Sequence, residues 1–242
     1  SLGLNNEAFA IFVNEEYRYN NKHDILPKDQ VEKINSFIKV LKSKNIKQDI
    51  SSFDISDKKK CFVIKVGKKY KSHFPQEVGG NFFSVAKNSK SIDTIDLYPD
   101  SLNYEKKEIV SFFSQFIFGF DLKSYTFTKY KTLKKENIEK KINYKIITSH
   151  KENIEKEYKY FNAIKEGVFL TRDLVSEPPN VLNPKKYVEE IQKLSKLGLK
   201  IKSYNEKELK KLGLNALLGV GQGSINESYL VTIEWNGKKS SS

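Results

Sequence analysis

Residues 149–177 set the frame for the rest of the chain. Ile154, Tyr158, Phe161, Ile164, Val168 and Val175 recur at the spacing of one helix face. Ser149 and Glu152 have the spacing of a capping box at its start. Pro178 and Pro179 exclude the α region before them and remove two amide donors, so the helix must stop by Glu177. A helix of this length divides the chain, and the sequence has a different texture on each side of it.

Before the helix, strand and helix patterns alternate. Glu7 to Asn14 reads as a buried strand. After Pro27, the spacing of Val31, Ile34, Phe37, Ile38 and Leu41 predicts an amphipathic helix to about Lys44. Lys60 to Val66 is a second strand and Asp93 to Leu97 a weaker one. Glu77 to Lys87 reads as a short helix despite Gly79 and Gly80, Asn103 to Phe118 as a helix closed by Gly119, and Ile142 to Thr148 as strand again. The expectation is a layered α/β domain with a mixed sheet over residues 1–150, then a connecting helix over 151–177. Beyond it, Asn183 caps a helix with Pro184 at its first position, which Gly198 ends. Leu199 to Tyr204 reads as strand. Asn205 with Glu208 caps a short helix to about Leu212, Gly213 terminates it, and Tyr229 to Glu234 is a final strand. Residues 178–242 therefore read as the first elements of a second, truncated α/β domain, with one apparent crossover.

Composition limits the function classes. With 242 residues, 16 Phe and 13 Tyr, the chain is large and aromatic enough to bury a core rather than stay disordered. Its most apolar stretch, Ile109 to Phe120, is too short and too interrupted to cross a bilayer, so no membrane partner is expected. Asn5, Asn6 and Glu7 stand where a secretory signal needs apolar residues. The single cysteine, Cys61, excludes an internal disulfide framework and fits a reducing compartment, so a cytoplasmic protein is expected. Net charge is +13, yet 41 of the 43 basic residues are lysine, Arg18 and Arg172 being the exceptions. In a chain crowded with Asn, Ile, Phe and Tyr, that pattern fits A/T-rich codon usage better than a nucleic-acid surface, where arginine is the usual reader of base edges. With no methionine in the sequence, Ser1 is expected to be a processing or cloning boundary.

The candidate chemistry is sparse. His23, His73 and His150 are far apart and in no zinc-binding spacing, and read as solvated loop residues. Cys61, mid-strand, reads as a small buried hydrophobe. Asp93 and Asp96, three apart near a strand, fall on opposite faces if the strand is regular. Asp54 and Asp57 read as a polar turn, and Glu152, Glu155 and Glu157 as favourable charges at a helix start. Gly219, Gly221 and Gly223, followed by Ser224, form the one glycine cluster able to cradle a phosphate, but it leads into a strand rather than a helix and reads as a tight turn. Ser224 has no base near it in sequence.

The run Arg172 to Pro184 (RDLVSEPPNVLNP) resembles the opening of the catalytic domain of the leucine (cytosol) aminopeptidases. Glu206 to Gly213 (EKELKKLG) is similar to that family's next helix, Leu217 to Ser224 (LLGVGQGS) to its glycine turn, and Tyr229 to Trp235 to its following strand. Upstream, Phe118-Gly119-Phe120, Tyr125-Thr126-Phe127 and Tyr130-Lys131 resemble the family's Leu-Gly-x-Tyr-x-Phe-x-x-Tyr-Lys segment, with Phe118 in place of its leucine. The resemblance implies a two-domain metallo-exopeptidase that removes N-terminal residues, often leucine, from peptides. It also implies two divalent metal ions, zinc or manganese, that activate a bridging water and polarise the scissile carbonyl, and a homohexamer. The family's metal ligands and catalytic bases lie in a Gly-Lys-Gly-x-Thr-Phe-Asp-Ser-Gly-Gly run, a further Asp and an Asn-Thr-Asp-Ala-Glu-Gly-Arg run beyond that strand. None of these occurs here, and Gly237-Lys238-Lys239 runs into three serines instead. No catalytic, cofactor-binding or metal residue is therefore assigned to any position, and this chain alone is expected to be inactive. The alternative is a basic N-terminal domain acting in DNA binding, as in some members of the family, or in oligomer assembly.

Overall fold

Six consecutive buried residues, Ala8–Val13, form the central strand β1. A strand apolar on both faces must be covered on both, and the architecture follows from that need. The computed structural model describes residues 7–21, 26–44, 46, 48–67, 73–89, 92–132 and 141–237. They divide into two compact units, Ser1–Leu170 and Thr171–Ser242.

In the first unit, β1 is followed by helix α1 (Lys28–Ser43), the hairpin β2 (Ile50–Ser56) and β3 (Lys59–Lys65), helix α2 (Phe74–Lys87), β4 (Thr94–Tyr98), helix α3 (Lys106–Ser124), β5 (Asn143–Ile146) and helix α4 (Lys151–Ser176), which runs past the unit's end. The sheet order is β2-β3-β1-β4-β5, parallel except for the β2–β3 pair, so the sheet is mixed. Phe9, Ile11, Val13, Cys61, Val63 and Tyr98 pack on one face against Ile34, Ile38 and Leu41 of α1. On the other, Ala8, Ala10, Phe12, Phe62 and Ile64 pack against α2 and α3.

Helices α2 and α3 cross with their backbones in contact. A Cβ on Gly79 would stand 1.9 Å from the Phe116 carbonyl oxygen, and one on Gly119 would stand 1.9 Å from that of Gln76. Around this crossing, Phe82 lies 5.8 Å from Phe116 and Phe83 5.1 Å edge-on from Phe120, distances in the favourable range for aromatic pairs. Gly119 is thus interior to α3 and does not close it: α3 runs on to Ser124, because the neighbouring helix, not a turn, requires the missing side chain.

Other expectations are corrected as well. Strand β2 was not foreseen, since Ile50, Phe53 and Ile55 are diluted by serines; Asp54 accordingly lies in a strand, 2.7 Å from the Lys60 ammonium, and only Asp57 falls in the turn. Helix α2 starts at Phe74. Ser149 makes no capping box, because α4 begins at Lys151 and the Ser149 hydroxyl donates to the Asp100 carboxylate at 3.0 Å.

In the second unit, α4 ends at Ser176 before the two prolines, as expected. Helix α5 (Pro184–Lys193) starts on Asn183, whose side-chain oxygen accepts the Lys186 N–H at 3.0 Å, and Gly198 ends the following turn at φ +89°. Strand β6 (Lys200–Tyr204) leads to α6 (Glu206–Lys211), which has the reciprocal Asn205–Glu208 capping box. Helix α7 (Asn215–Gly221) and strand β7 (Leu230–Glu234) complete it. β6 and β7 pair antiparallel, so the segment between them is a return connection and not a crossover.

Candidate functional site

Among the described residues, no three His, Cys, Asp or Glu side chains are grouped so as to hold a metal ion. The sequence candidates are scattered. His73 precedes α2 and lies 3.1 Å from the Glu77 carboxylate, both exposed. His150 precedes α4, where its carbonyl accepts the Ile154 N–H and its own N–H donates to the Thr148 hydroxyl. His23 lies outside the described residues. Cys61 is fully buried in β3, and burial raises its thiol pKa far above the usual value, so the thiolate a nucleophile needs is suppressed.

The carboxylates do not converge either. Asp93 lies just outside β4, where its carbonyl accepts the Asn143 N–H, and Asp96 is fully buried on the α1 face of the sheet. Glu152 is exposed in the first turn of α4, Glu155 lies 3.8 Å from Lys151, and Glu157 lines a shallow groove with Lys106, Lys107 and Lys156. Gly219 and Gly221 belong to the last turn of α7, with Gly223 just beyond it. The expected tight turn is therefore a helix C-terminus, whose carbonyls carry partial negative charge and repel a phosphate. The Ser224 hydroxyl accepts the Asn226 N–H, a local turn contact. Gly221 is held close to β7's approach, since a Cβ there would meet the Ser228 hydroxyl at 2.0 Å.

The densest polar cluster was not foreseen at all. Asp121 on α3 accepts hydrogen bonds from the hydroxyls of Tyr144 on β5 and Tyr158 on α4, and from the Lys165 ammonium on α4 at 3.3 Å. Asp121 and Lys165 retain only 15% and 20% side-chain exposure, so the pair is poorly screened. Burial first, and then the Asp121 carboxylate, raise both tyrosine pKa values well above normal, which keeps the hydroxyls protonated as donors. A second carboxylate, Asp100 after β4, accepts from the hydroxyls of Thr148 and Ser149 and from the Ser149 N–H at 2.8 Å. Together they fasten the first turns of α4 to the sheet and to α3. Tyr158 and Lys165 share a face at i, i+7, but nothing local marks Asp121 as their partner. These are hydrogen-bonded anchors, each carboxylate being engaged by several donors.

In the second unit, the segment of greatest interest is equally structural. After Ser176 the chain makes a helical turn on which the Val181 and Leu182 N–H groups both donate to the Pro178 carbonyl, leading to the Asn183 cap.

Residues 169–242 match the model of the cytosol aminopeptidase family, catalytic domain. A probable cytosol aminopeptidase of Agrobacterium fabrum is 39% identical over 183 residues, covering 74% of this chain and 36% of that protein. One of Phytoplasma mali is 45% identical over 125 residues, covering 50% of this chain and 25% of that protein. The chain thus spans about a third or less of the length of these curated relatives. Among solved structures, a tomato leucine aminopeptidase mutant superposes with a TM-score of 0.73 at 18% identity, over 97% of this chain and 49% of that one. The bottromycin maturation enzyme BotP in complex with Mn superposes at 0.64 and 15% identity, over 94% of this chain and 44% of that one. These structural likenesses extend the shared fold to the N-terminal part, where sequence motifs are few.

Proposed function

We propose, from the premise that this chain belongs to the leucine (cytosol) aminopeptidase family and holds an N-terminal portion of its architecture, that it is part of a metal-dependent exopeptidase that removes N-terminal amino acids from peptides. The family match over residues 169–242 carries the reading. On this reading residues 1–150 are the N-terminal domain, 151–177 the connecting helix, and 178–242 the beginning of the catalytic domain. The parent enzyme acts in the cytoplasm as a homohexamer, in keeping with its relatives being named cytosol aminopeptidases.

The described residues do not fit the two divalent ions such an enzyme uses. Their carboxylates are dispersed, and the most buried ion pair, Asp121 with Lys165, is already satisfied. What these residues supply is support. The Asp121 and Asp100 anchors fix the start of α4, and the Asn183 and Asn205 caps fix the two helices that flank β6. The chain alone is expected to give no turnover of leucine p-nitroanilide with manganese, whereas a form carrying the two family metal motifs downstream should turn over. Metal-dependent hydrolysis by the 242 residues alone, or a reading frame that continues without those motifs, would overturn the proposal.

A further inference from the structure

Strand β2 ends the sheet among the described residues, and a groove of about 960 Å³ runs beside it under α1. The Lys65 N–H donates to the Asp49 carbonyl, which makes residues 49 and 65 a hydrogen-bonded pair. Counted along the register, Ile50, Ser52 and Asp54 then stand in the alternate pairs and turn their N–H and C=O groups away from β3. Such an edge is a template for another strand unless it is blocked. Among the described residues, blocking is confined to one end: the Lys33 ammonium takes the Ile55 carbonyl at 2.8 Å, where the register also shifts.

The groove's floor and rim differ in chemistry. Phe37 and Phe53 stack at 4.4 Å on the floor, with Val40 exposed beside them. The rim carries Asp29, Glu32 and Asp57 against Lys33 alone, which is the reverse of the chain's +13 balance; Asp54 borders the groove through its backbone and turns its side chain to the opposite face with Lys60. Asp54 is partly neutralised by Lys60, and the other three have no such partner among the ion pairs of the described residues.

We propose that this edge captures an extended, lysine- or arginine-rich polypeptide segment by strand addition. The peptide backbone pairs with Ile50, Ser52 and Asp54, and of the side chains it turns to the α1 face the apolar ones cover Phe37 and Phe53 while the basic ones meet Asp29, Glu32 and Asp57. Charge complementarity selects this partner over a second copy of the chain, which is itself strongly basic yet would have to bring its own acidic rim to the seam in any two-fold arrangement. The proposal stands independently of the peptidase reading.

The test is fluorescence anisotropy of the 242-residue chain with a labelled peptide of repeating Lys-Lys-Val-Val, which puts both residue types on each face of an added strand, beside one of repeating Glu-Glu-Val-Val. The basic peptide should bind and the acidic one should not. Glu32→Lys with Asp57→Lys, both at exposed positions, should weaken binding at least tenfold with thermal unfolding unchanged. Ser52→Pro removes an outward N–H and should do the same. Equal binding by the charge-reversed variant, or by both peptides, would overturn the proposal. Binding unaffected by Ser52→Pro would reduce it to ion exchange and overturn strand addition. A dimer in sedimentation that the same variants dissolve would assign the edge to a second copy instead.

Discussion

Gly79→Ala and Gly80→Ala differ by one position on α2 and are expected to move stability in opposite directions. At Gly79 the new Cβ would lie 1.9 Å from the Phe116 carbonyl oxygen and 2.8 Å from its carbon, where ordinary contact begins near 3.4 Å. Both obstructing atoms are backbone of α3, so the helices must separate by ~1.5 Å. That withdraws Phe82 and Phe83 from Phe116 and Phe120, and a gap of even ~0.5–1 Å already forfeits a quarter to a half of the dispersion at each contact. Overpacking costs about 1–3 kcal/mol, and more where the backbone has to move. Alanine's better helix propensity returns roughly 1 kcal/mol. With backbone forced to move, the overpacking cost is taken above that range, at about 4 kcal/mol, so the net expected loss is about 3 kcal/mol. At Gly80 the nearest atoms would be 3.5 Å and 3.7 Å away, so the propensity gain stands almost alone, at about 0.5–1 kcal/mol of stabilisation. Urea unfolding followed by far-UV circular dichroism reads both. For an m-value of about 2 kcal/mol/M, Gly79→Ala should lower the midpoint by ~1.5 M, while Gly80→Ala should raise it slightly. Equal midpoints for the two variants would refute the backbone-contact account of the crossing.

Asp121→Ala leaves the Tyr144 and Tyr158 hydroxyls and the Lys165 ammonium without their shared acceptor. Partial exposure discounts the full cost of breaking a buried pair, so the expected loss is about 2–3 kcal/mol in denaturant unfolding; a loss under ~0.5 kcal/mol would show that water replaces the carboxylate. The same cluster predicts an alkaline limit. Tyr144 and Tyr158 hold their protons longer in the folded than in the unfolded chain, where tyrosine titrates near ~10. Their contribution is therefore complete below about pH 10 and is lost as pH rises through the folded values. The melting temperature should fall more steeply above about pH 10 in the parent than in a Tyr144→Phe/Tyr158→Phe variant, and identical slopes would refute the assignment.

Much of the architecture was legible in the sequence because burial writes a period into it. The unbroken apolar run at Ala8–Val13, the helical spacing in α1, and the prolines after Ser176 each marked an element or an end that the structure keeps. Asn183 and Asn205 were legible for a different reason: a cap is satisfied within three residues, so both partners lie in one short window. Strand β2 was not, since an edge strand buries only part of one face and its serines break the alternation.

The candidate site followed the same division. The likeness of Arg172 to Pro184 to the opening of the cytosol aminopeptidase catalytic domain was legible in the sequence alone, and the family model matches over the same segment. Tertiary structure decided that Gly119 serves a helix crossing rather than a helix end, that Gly219 and Gly221 lie at a helix C-terminus, and that Asp121 gathers Tyr144, Tyr158 and Lys165. The physical reason is distance along the chain. Periodicity and caps are contacts over a few residues, whereas the partners of Gly119 and Asp121 are more than twenty residues away and meet only once the sheet has fixed where each helix lies.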